Sequence, residues 1–528
     1  MAVLNLETPG VYIQELNAFP NSVVPVATAV PAFIGYTPQA EYEGKSYLNK
    51  PQKITSFDEF KAFYMYPNPA PPAPQAKQYS PEYYLVQQKK QPTSGKYLSI
   101  QGNYYSILPD PYSIYYMYNS IRLFYENGGG DAYIVSIGSY GPTSGKPASD
   151  PAAQVVNPNV KLNDLMSGLA LLKNEVEPTM YICPEATLLA PGDNETLMEA
   201  MLLQAEEMQT AVCIFDIING NNPDPILYTN DIEAFRSSTG SQGLNYGTAY
   251  YPFVCTTIMQ DGDIDYTNLF GGNVKLLEPL LNPPASPNPA AAKLLDMIEN
   301  PPPNPMTSQQ YHAALTVASK QYKQIVKHVL ADANILPPSG GMAGIYTIND
   351  NQNGVWHAPA NVSMVGVVDL PIKLSADQQA GLNVDAISGK SVNAIRLFNG
   401  GLGILVWGAR TLDGNSLDWR YVSVRRTMTM LEQSVKVAAH SYVFEPNDMN
   451  TWTGVKSMIE SFLTSIWKEG GLQGATADAA FQVEVGLGAT MTAEDILNGI
   501  MRVMVKVAVV HPAEFIVITF EQEMATSG

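Results

Sequence analysis

Two glycine-containing stretches are the first candidates for phosphate chemistry. A P-loop needs a glycine five residues before the glycine of its Gly-Lys-Ser, because the backbone N–H groups of that loop cradle the phosphates. In "ISGKS" (387–391) the earlier position is Val384, so this stretch does not predict a P-loop. Gly128–Gly130 in "NGGGDAYIV" stand before a predicted strand, whereas a dinucleotide fingerprint places its glycines after one. They favour a tight loop that feeds a central strand.

The other reactive side chains form no catalytic or metal-binding pattern. The histidines lack HxxxH and HExxH spacing; they are His312, His328, His357, His440 and His511. The sequence contains no GxSxG elbow, and no cysteine has the basic or helix-start setting that activates a thiol. We therefore expect no active site, no metal and no cofactor.

Three charged positions leave a choice between function and structure. Arg425 and Arg426 could clamp a phosphate, but their place on a predicted helix, with Glu432 further along, fits a structural ion-pair network better. Asp216 ends a buried strand, where an α/β enzyme would keep a functional carboxylate, and capping of the following turn explains it equally well. An enzyme or nucleotide-binding domain at about 120–270 is therefore one alternative.

The 528-residue chain is acidic and poor in charge, with a net charge of −19, a pI near 4.7 and 15% charged residues. A nucleic-acid binder carries a basic footprint, so that class is disfavoured. The 30 tyrosines fit either extensive protein contacts or a large neutral core. Cys183, Cys213 and Cys255 lie in apolar runs without CxxC spacing and are expected to be buried thiols.

The sequence also predicts where the chain is made. It has no run of 18 apolar residues, and it does not open with a basic and then apolar leader. We therefore expect synthesis in the cytosol and no direct membrane insertion.

Between residues 131 and 258, apolar strands alternate with helices. The predicted strands are 131–138, 179–183, 211–218 and 249–258, and the predicted helices are 161–175 and 194–209. Continuous apolar runs separated by helices are typical of a parallel, doubly wound sheet. Proline-dense stretches cannot continue a helix or a sheet and are expected to be extended connectors; they are 67–75, 282–289 and 300–305.

From residue 355 onward, long amphipathic helices dominate the pattern. Apolar spacing predicts one helix along 418–444 and another over 454–468. The segments that follow are a strand at 481–486, a short helix opened by Thr492 and Asp495, and strands at 502–510 and 514–523. The predicted fold class is α/β, with an α/β outer domain and a mixed α+β inner domain.

A short strand stands alone at each end of the chain. The strand at 11–16 in "TPGVYIQELNAFP" has no hairpin mate next to it, and the one at 514–523 stops near the last residue. Unpaired strands need partners, and donation to another chain's sheet supplies them. We expect these inter-subunit arms to act through Val11, Tyr12, Ile13, Phe515, Ile516, Val517, Ile518 and Phe520.

Several blocks of the sequence resemble contractile tail sheath proteins and occur in that family's order. They are "TPGVYIQEL", "VVPVATAVPAFIGYT", "NGGGDAYIVSIG", "GVWHAPANVSMVGV", "WGARTL", "DWRYVSVRR", "FEPNDMNTW", "FLTSIWKEGGLQGA" and "PAEFIVITF". The opening looks closest to sheaths of phage tail-like extracellular contractile injection systems. The proline-rich middle matches no such block and is expected to be a variable outer insertion.

This resemblance implies a structural protein rather than an enzyme. Sheath subunits of that family form stacked six-fold rings around an inner tube and contract to drive the tube and its spike through a target envelope. Their terminal strands complete neighbouring subunits' β-sheets. The implied domains are an exchanged arm at 1–25, an outer α/β domain at 26–345, an inner sheath domain at 346–512 and an exchanged strand at 513–528.

The resemblance also implies partners. These are further copies of the chain in a helical assembly, an inner tube protein, baseplate and terminal cap proteins, and sheath paralogues. The candidate tube-facing residues are Lys456 and Glu460, on the helix at 454–468. Assembly is expected in the bacterial cytoplasm, with the particle either released or membrane-anchored. A sheath-derived scaffold that does not contract is a further alternative and would lack a second lattice state in electron micrographs.

Overall fold

The computed structural model describes residues 23–66, 80–92, 97–150 and 153–517. The strands are β1 (Pro31–Gly35), β2 (Glu41–Tyr42), β3 (Lys45–Ser46), β4 (Gln52–Ile54), β5 (Tyr83–Gln88), β6 (Tyr97–Ile100), β7 (Asn103–Pro109), β8 (Ala132–Ser136), β9 (Met180–Ile182), β10 (Val212–Asp216), β11 (Gly247–Tyr251), β12 (Val254–Thr256), β13 (Ile335–Leu336), β14 (Val367–Asp369), β15 (Asn393–Phe398), β16 (Gly403–Val406), β17 (Phe481–Val485) and β18 (Val503–Val507). The helices are α1 (Phe57–Tyr64), α2 (Met117–Glu126), α3 (Leu162–Leu171), α4 (Pro191–Met208), α5 (Tyr228–Ser238), α6 (Val274–Leu281), α7 (Pro289–Glu299), α8 (Ser308–Ala318), α9 (Lys320–Ala333), α10 (Ser339–Asn353), α11 (Ala376–Asn383), α12 (Val422–Ala439), α13 (Met449–Lys468), α14 (Ala477–Ala480) and α15 (Ala493–Leu497).

A predominantly parallel sheet organises most of the described chain. Its strand order is β16-β15-β11-β10-β9-β1-β8-β4. The six inner strands run parallel, and β4 and β16 add antiparallel edges. The strands β1, β8, β9, β10 and β11 are buried along their whole length, and helices α2, α3, α4 and α10 pack against the sheet. The predicted α/β class and its parallel sheet are confirmed.

The strand β1 lies in the middle of this sheet, between β8 and β9. The sequence patterns predicted no strand at 31–35. Pro31 is the first residue of β1, where a missing N–H is tolerated. Because β1 pairs in parallel with distant segments, it needs no adjacent hairpin turn.

A second core is built from the segments that interrupt the main sheet. The antiparallel sheet β5-β7-β6 and helices α6–α9 supply its buried residues, among them Leu98, Leu277 and Ile325. The connector prediction at 282–289 is confirmed up to Pro289, which opens α7 as a first-turn proline. The predicted connector at 300–305 is also confirmed, between α7 and α8. The stretch 67–75 lies outside the described residues.

Contacts divide the chain into two compact units. Among the described residues, the larger unit contains 27–429 and 511–517, and the smaller contains 23–26 and 430–510. The main sheet continues past the predicted domain boundary at 345/346, since β15 pairs with β11 through Asn393 and Ala394. The domain boundaries taken from the family resemblance stay predictions.

The smaller unit is centred on an antiparallel pair, β17 and β18, in register from Phe481 opposite Val507 to Val485 opposite Val503. The helix α13 contains the predicted helix at 454–468 and begins five residues earlier. It packs against β17, and its apolar residues Val455, Met458, Ile459, Phe462, Leu463 and Ile466 are buried. The predicted capping pair Thr492 and Asp495 opens α15, with each side chain accepting the other's backbone N–H. The first amphipathic helix is α12, somewhat shorter than the predicted 418–444.

Candidate subunit-interaction site

The described C-terminal segment exposes three successive apolar side chains. Phe515, Ile516 and Val517 are 72%, 78% and 89% exposed. No strand is assigned to the described part of this segment, 511–517. Burial of such side chains drives association, so the triplet has the properties of a surface that another molecule covers. Ile518 and Phe520 at this end, and Val11, Tyr12 and Ile13 at the other, lie outside the described residues.

Directly before this triplet, the carboxylate of Glu514 is held by three side chains. Arg410 Nη2 donates to Glu514 Oε2 at 2.6 Å, and Arg410 Nε lies 3.1 Å from both carboxylate oxygens. Asn383 Nδ2 donates to Oε1 at 2.7 Å, and the Tyr421 hydroxyl donates to Oε2 at 3.0 Å. The donors come from the end of α11, from the loop after β16 and from the residue before α12. We call these four residues the Glu514 clamp.

The hydrogen bonds keep the clamp ionised. Partial burial opposes the charge on Glu514, but the hydrogen bonds from Arg410 and Asn383 outweigh it and lower the pKa of this carboxyl. The Arg410 side chain is only 4% exposed, and that of Glu514 is 21% exposed. A charged pair with a bidentate geometry fixes orientation as well as distance.

A side chain of the main sheet binds both the backbone N–H and the backbone C=O of Arg410. Asn393 on β15 accepts from Arg410 N at 2.8 Å and donates to Arg410 O at 2.9 Å. The same amide donates to the Thr248 hydroxyl and to Ala249 O on β11. Since Asn393 is fully buried, the backbone of the arginine that binds the C-terminal segment is held by the buried core of the main sheet.

The start of the described chain has its own buried arginine. Arg426 Nη2 donates to Thr28 O at 2.8 Å, and its guanidinium forms a two-point ion pair with Asp350 at 3.0 and 2.6 Å. The guanidinium also lies 4.6 Å from the centre of the Tyr346 ring. The prediction that this arginine is structural is confirmed. The partner seen in the structure is Asp350 of α10, which the sequence did not indicate, rather than a neighbour on the same helix.

The sheet of the smaller unit has two strands in the described chain, so each strand has one edge without a neighbour. Met504 and Val505 on β18 are exposed. A two-stranded sheet is marginal by itself and gains stability from further strands. These edges are therefore geometrically suited to accept another strand.

Lys456 and Glu460 lie one turn apart on α13 and face each other. Their charged atoms are 3.7 Å apart, and their side chains are 45% and 40% exposed. The pair lies beside the buried face of the helix, which contains Val455, Ile459 and Phe462. Nothing in the structure tests whether this face meets a tube, so that role stays a prediction.

The residues weighed for nucleotide chemistry are in structural settings. Gly128–Gly130 join α2 to β8, and Gly128 has φ +91°, which glycine adopts most easily. Asp216 accepts hydrogen bonds from Ser339 N at 2.9 Å and Ser339 Oγ at 2.5 Å, so it caps α10 rather than the following turn. Burial raises its pKa to about 7, against the effect of these bonds.

The larger unit contains a cleft of about 930 Å³, lined among others by Tyr83, Tyr116 and Asn119. Neither Asp216 nor the glycine loop is among its described lining residues. In the described ranges, His, Cys, Asp and Glu side chains form no cluster of three that could hold a metal ion. Over the same residues, no helix has both the length and the apolarity to cross a bilayer. Cys183 and Cys213 are buried, as predicted, whereas Cys255 is only partly buried.

Comparisons with known proteins show which proteins this chain resembles. Residues 415–523 match the phage tail sheath C-terminal domain. The tail sheath protein of Vibrio phage KVP40 is 28% identical over 137 residues, which are 26% of this chain and 20% of that protein. The match thus spans about a fifth of the length of this curated relative.

The solved structures are similar along nearly the whole chain. The sheath complex of an extracellular contractile injection system, PVC, in its contracted state is 24% identical, with 98% of each chain covered and a TM-score of 0.57. A chain of the anti-feeding prophage (AFP) baseplate is 25% identical, with 98% of this chain and 99% of that chain covered and a TM-score of 0.55. The AFP helical sheath in the contracted state is 24% identical, with 98% of this chain and 99% of that chain covered and a TM-score of 0.57. The chain thus has the fold of these sheath proteins, and its residues 415–523 match the phage tail sheath C-terminal domain.

Proposed function

We propose that this protein is the structural subunit of a contractile sheath, which polymerises as stacked six-fold rings around an inner tube and contracts to drive the tube and its spike through a target envelope. The match of residues 415–523 to the phage tail sheath C-terminal domain and the similarity to solved sheath structures support the general role. The observation that carries the proposal is the C-terminal segment, which is held at Glu514 and continues into the exposed apolar residues Phe515–Val517.

Strand donation is the mode of assembly that we infer. If the C-terminal segment pairs as a strand, its main-chain groups add to an open sheet edge and its side chains alternate between two faces. The two-stranded sheet β17–β18 offers such edges, and a neighbouring copy's terminal segments are the proposed occupants. Burial of Phe515, Ile516 and Val517 would contribute about 5–8 kcal/mol before ordering costs.

Donated strands build an open polymer. A subunit that gives a strand to one neighbour and receives a strand from another makes head-to-tail contacts, and such contacts form a helix when the rotation does not close. The terminal segments can then hold copies together while their bodies repack. Contraction in this scheme needs no fuel bound to the sheath, because the extended lattice is metastable relative to the contracted one. We therefore propose no catalytic role.

The proposed partners are further copies, the inner tube protein, the baseplate and the terminal cap, and sheath paralogues where present. The baseplate association is supported by similarity to a chain of the AFP baseplate. The exposed face of α13 with Lys456 and Glu460 is the proposed contact with the tube. We propose assembly in the bacterial cytoplasm, as part of a phage tail-like particle that is released or anchored.

The test compares the full-length protein with a Phe515→Ser, Ile516→Ser, Val517→Ser variant in a tube-assembly assay followed by electron microscopy. We expect long tubes from the natural chain and folded, unassembled subunits from the variant. Val317→Ser and Ile226→Ser are matched controls, since both side chains are more exposed than Phe515 and Ile516 and lie elsewhere on the larger unit. Normal tubes from the triple variant would contradict strand donation.

A further inference from the structure

The Glu514 clamp stands at the transition between a fixed and an unsupported stretch of chain. Glu514 makes side-chain contacts with three separate segments of the larger unit, whereas the next three residues are largely exposed. Such a point determines where the terminal segment leaves the subunit.

We propose that the Glu514 clamp is a positioning site for assembly, which fixes the exit point and direction of the C-terminal segment toward a second copy of this chain. This inference rests on the proposed strand donation and adds to it the residues that set its geometry. Arg410 is the central positioning residue, and Asn383 and Tyr421 are supporting donors.

Three features favour positioning over simple stabilisation. The arginine fork meets the carboxylate at two oxygens, so it restricts rotation of the segment as well as its distance. The donors converge from three directions. In addition, Asn393 holds the arginine backbone without using Glu514, so the body keeps this support when the carboxylate is changed.

The physical consequence concerns effective concentration. A segment that leaves from a fixed point reaches its acceptor edge with a high effective concentration, and a longer flexible tether lowers that concentration. A longer flexible segment also has to be ordered when it binds, and this entropic cost weakens association. Loss of the clamp lengthens the free part of the chain beyond Glu514 and should therefore weaken assembly without unfolding the subunit.

The experiment uses Glu514→Gln in the full-length protein, with Glu494→Gln as the control. Glu494 is an exposed carboxylate on α15, so the control matches the change in charge. We measure the critical concentration for tube formation by sedimentation, the thermal midpoint of the unassembled subunit, and hydrogen exchange of the amides at 513–517.

For Glu514→Gln we expect a critical concentration raised by at least about tenfold and faster exchange at 513–517. The thermal midpoint should fall moderately, because the buried Arg410 loses its counter-charge, while the subunit stays folded at the assay temperature. Glu494→Gln should behave as the natural chain. Glu514→Asp keeps the charge but shortens the side chain, and should give an intermediate critical concentration.

Two outcomes would overturn the inference. One is assembly of Glu514→Gln at the same critical concentration as the natural chain. The other is a loss of assembly that a lower thermal midpoint of the unassembled subunit fully explains. Truncation after Glu514 separates this failure from that of the proposed function. If the truncated chain forms normal tubes, strand donation itself is wrong. If truncation abolishes tubes while Glu514→Gln assembles normally, only the positioning role is wrong.

Discussion

Replacement of Asp350 by asparagine is expected to destabilise the larger unit substantially. The Arg426 and Asp350 side chains are 3% and 2% exposed, and they meet through hydrogen bonds of 3.0 and 2.6 Å. Asparagine is nearly isosteric but neutral, so it leaves the guanidinium buried without a counter-charge. The bond from Arg426 to Thr28 O would persist, and it cannot neutralise that charge.

The magnitude follows from the burial of the pair. Removal of one partner from a buried ion pair costs about 3–5 kcal/mol. With a urea m-value of about 3 kcal/mol/M, typical of the upper end for small proteins, this shifts the unfolding midpoint by about 1–1.7 M. The assay is urea unfolding of the unassembled subunit, followed by tyrosine and tryptophan fluorescence, with the m-value checked for constancy.

Two controls sharpen the result. Glu460→Gln removes one partner of the exposed α13 pair and should leave the midpoint almost unchanged. The double variant Arg426→Met, Asp350→Leu removes both charges and should recover most of the loss, because apolar replacement of a whole buried pair is often close to neutral. A midpoint for Asp350→Asn that matches Glu460→Gln would refute the reasoning.

Three further predictions concern pH, the tube and the N-terminal segment. Burial raises the pKa of Glu185 to about 8 and of Asp216 to about 7, so the folded state retains protons that the unfolded state releases. The thermal midpoint should therefore fall as pH rises from about 5 toward 8. Glu185→Gln should flatten this dependence of the midpoint on pH, and an unchanged dependence in the variant would contradict the assignment. The double variant Lys456→Glu, Glu460→Lys preserves an ion pair within α13 but inverts the charges that a partner meets. It should weaken attachment to the tube in the extended state, which co-sedimentation measures. Unchanged attachment would show that this face is not the tube contact. Deletion of residues 1–20 should leave a folded subunit, by circular dichroism, that forms no long tubes in electron micrographs, and normal tubes from it would remove the N-terminal segment from the assembly scheme.

Local patterns were sufficient for the elements whose environment is uniform. Continuous apolar runs such as 211–218 predict buried parallel strands, because both faces of such a strand are covered. The apolar stripe over 454–468 predicts the buried face of α13, since a helix of period 3.6 presents one side to its core. The capping pair Thr492 and Asp495 is read at a fixed spacing of three residues.

Long-range pairings were outside the reach of such patterns. The strand β1 lies in the middle of the sheet, and β15 at 393–398 belongs to the same sheet. The sheet therefore extends past the domain boundary at 345/346 that the family resemblance predicted. Arg426 had a visible candidate partner on its own helix, yet Asp350, 76 residues earlier, holds it. Glu514 and Arg410 both fall within sheath-like blocks, but no spacing rule joins positions 104 residues apart.

The sequence by itself determined the acidic, charge-poor character of the chain, its parallel α/β layer, its amphipathic helices and its resemblance to contractile sheaths, because composition and periodicity are local properties. Only the tertiary structure decided which arginine secures each end of the described chain and which apolar residues remain uncovered beyond Glu514. Those properties depend on which distant segments meet, and the meeting is set by packing of the whole sheet rather than by any stretch of residues within it.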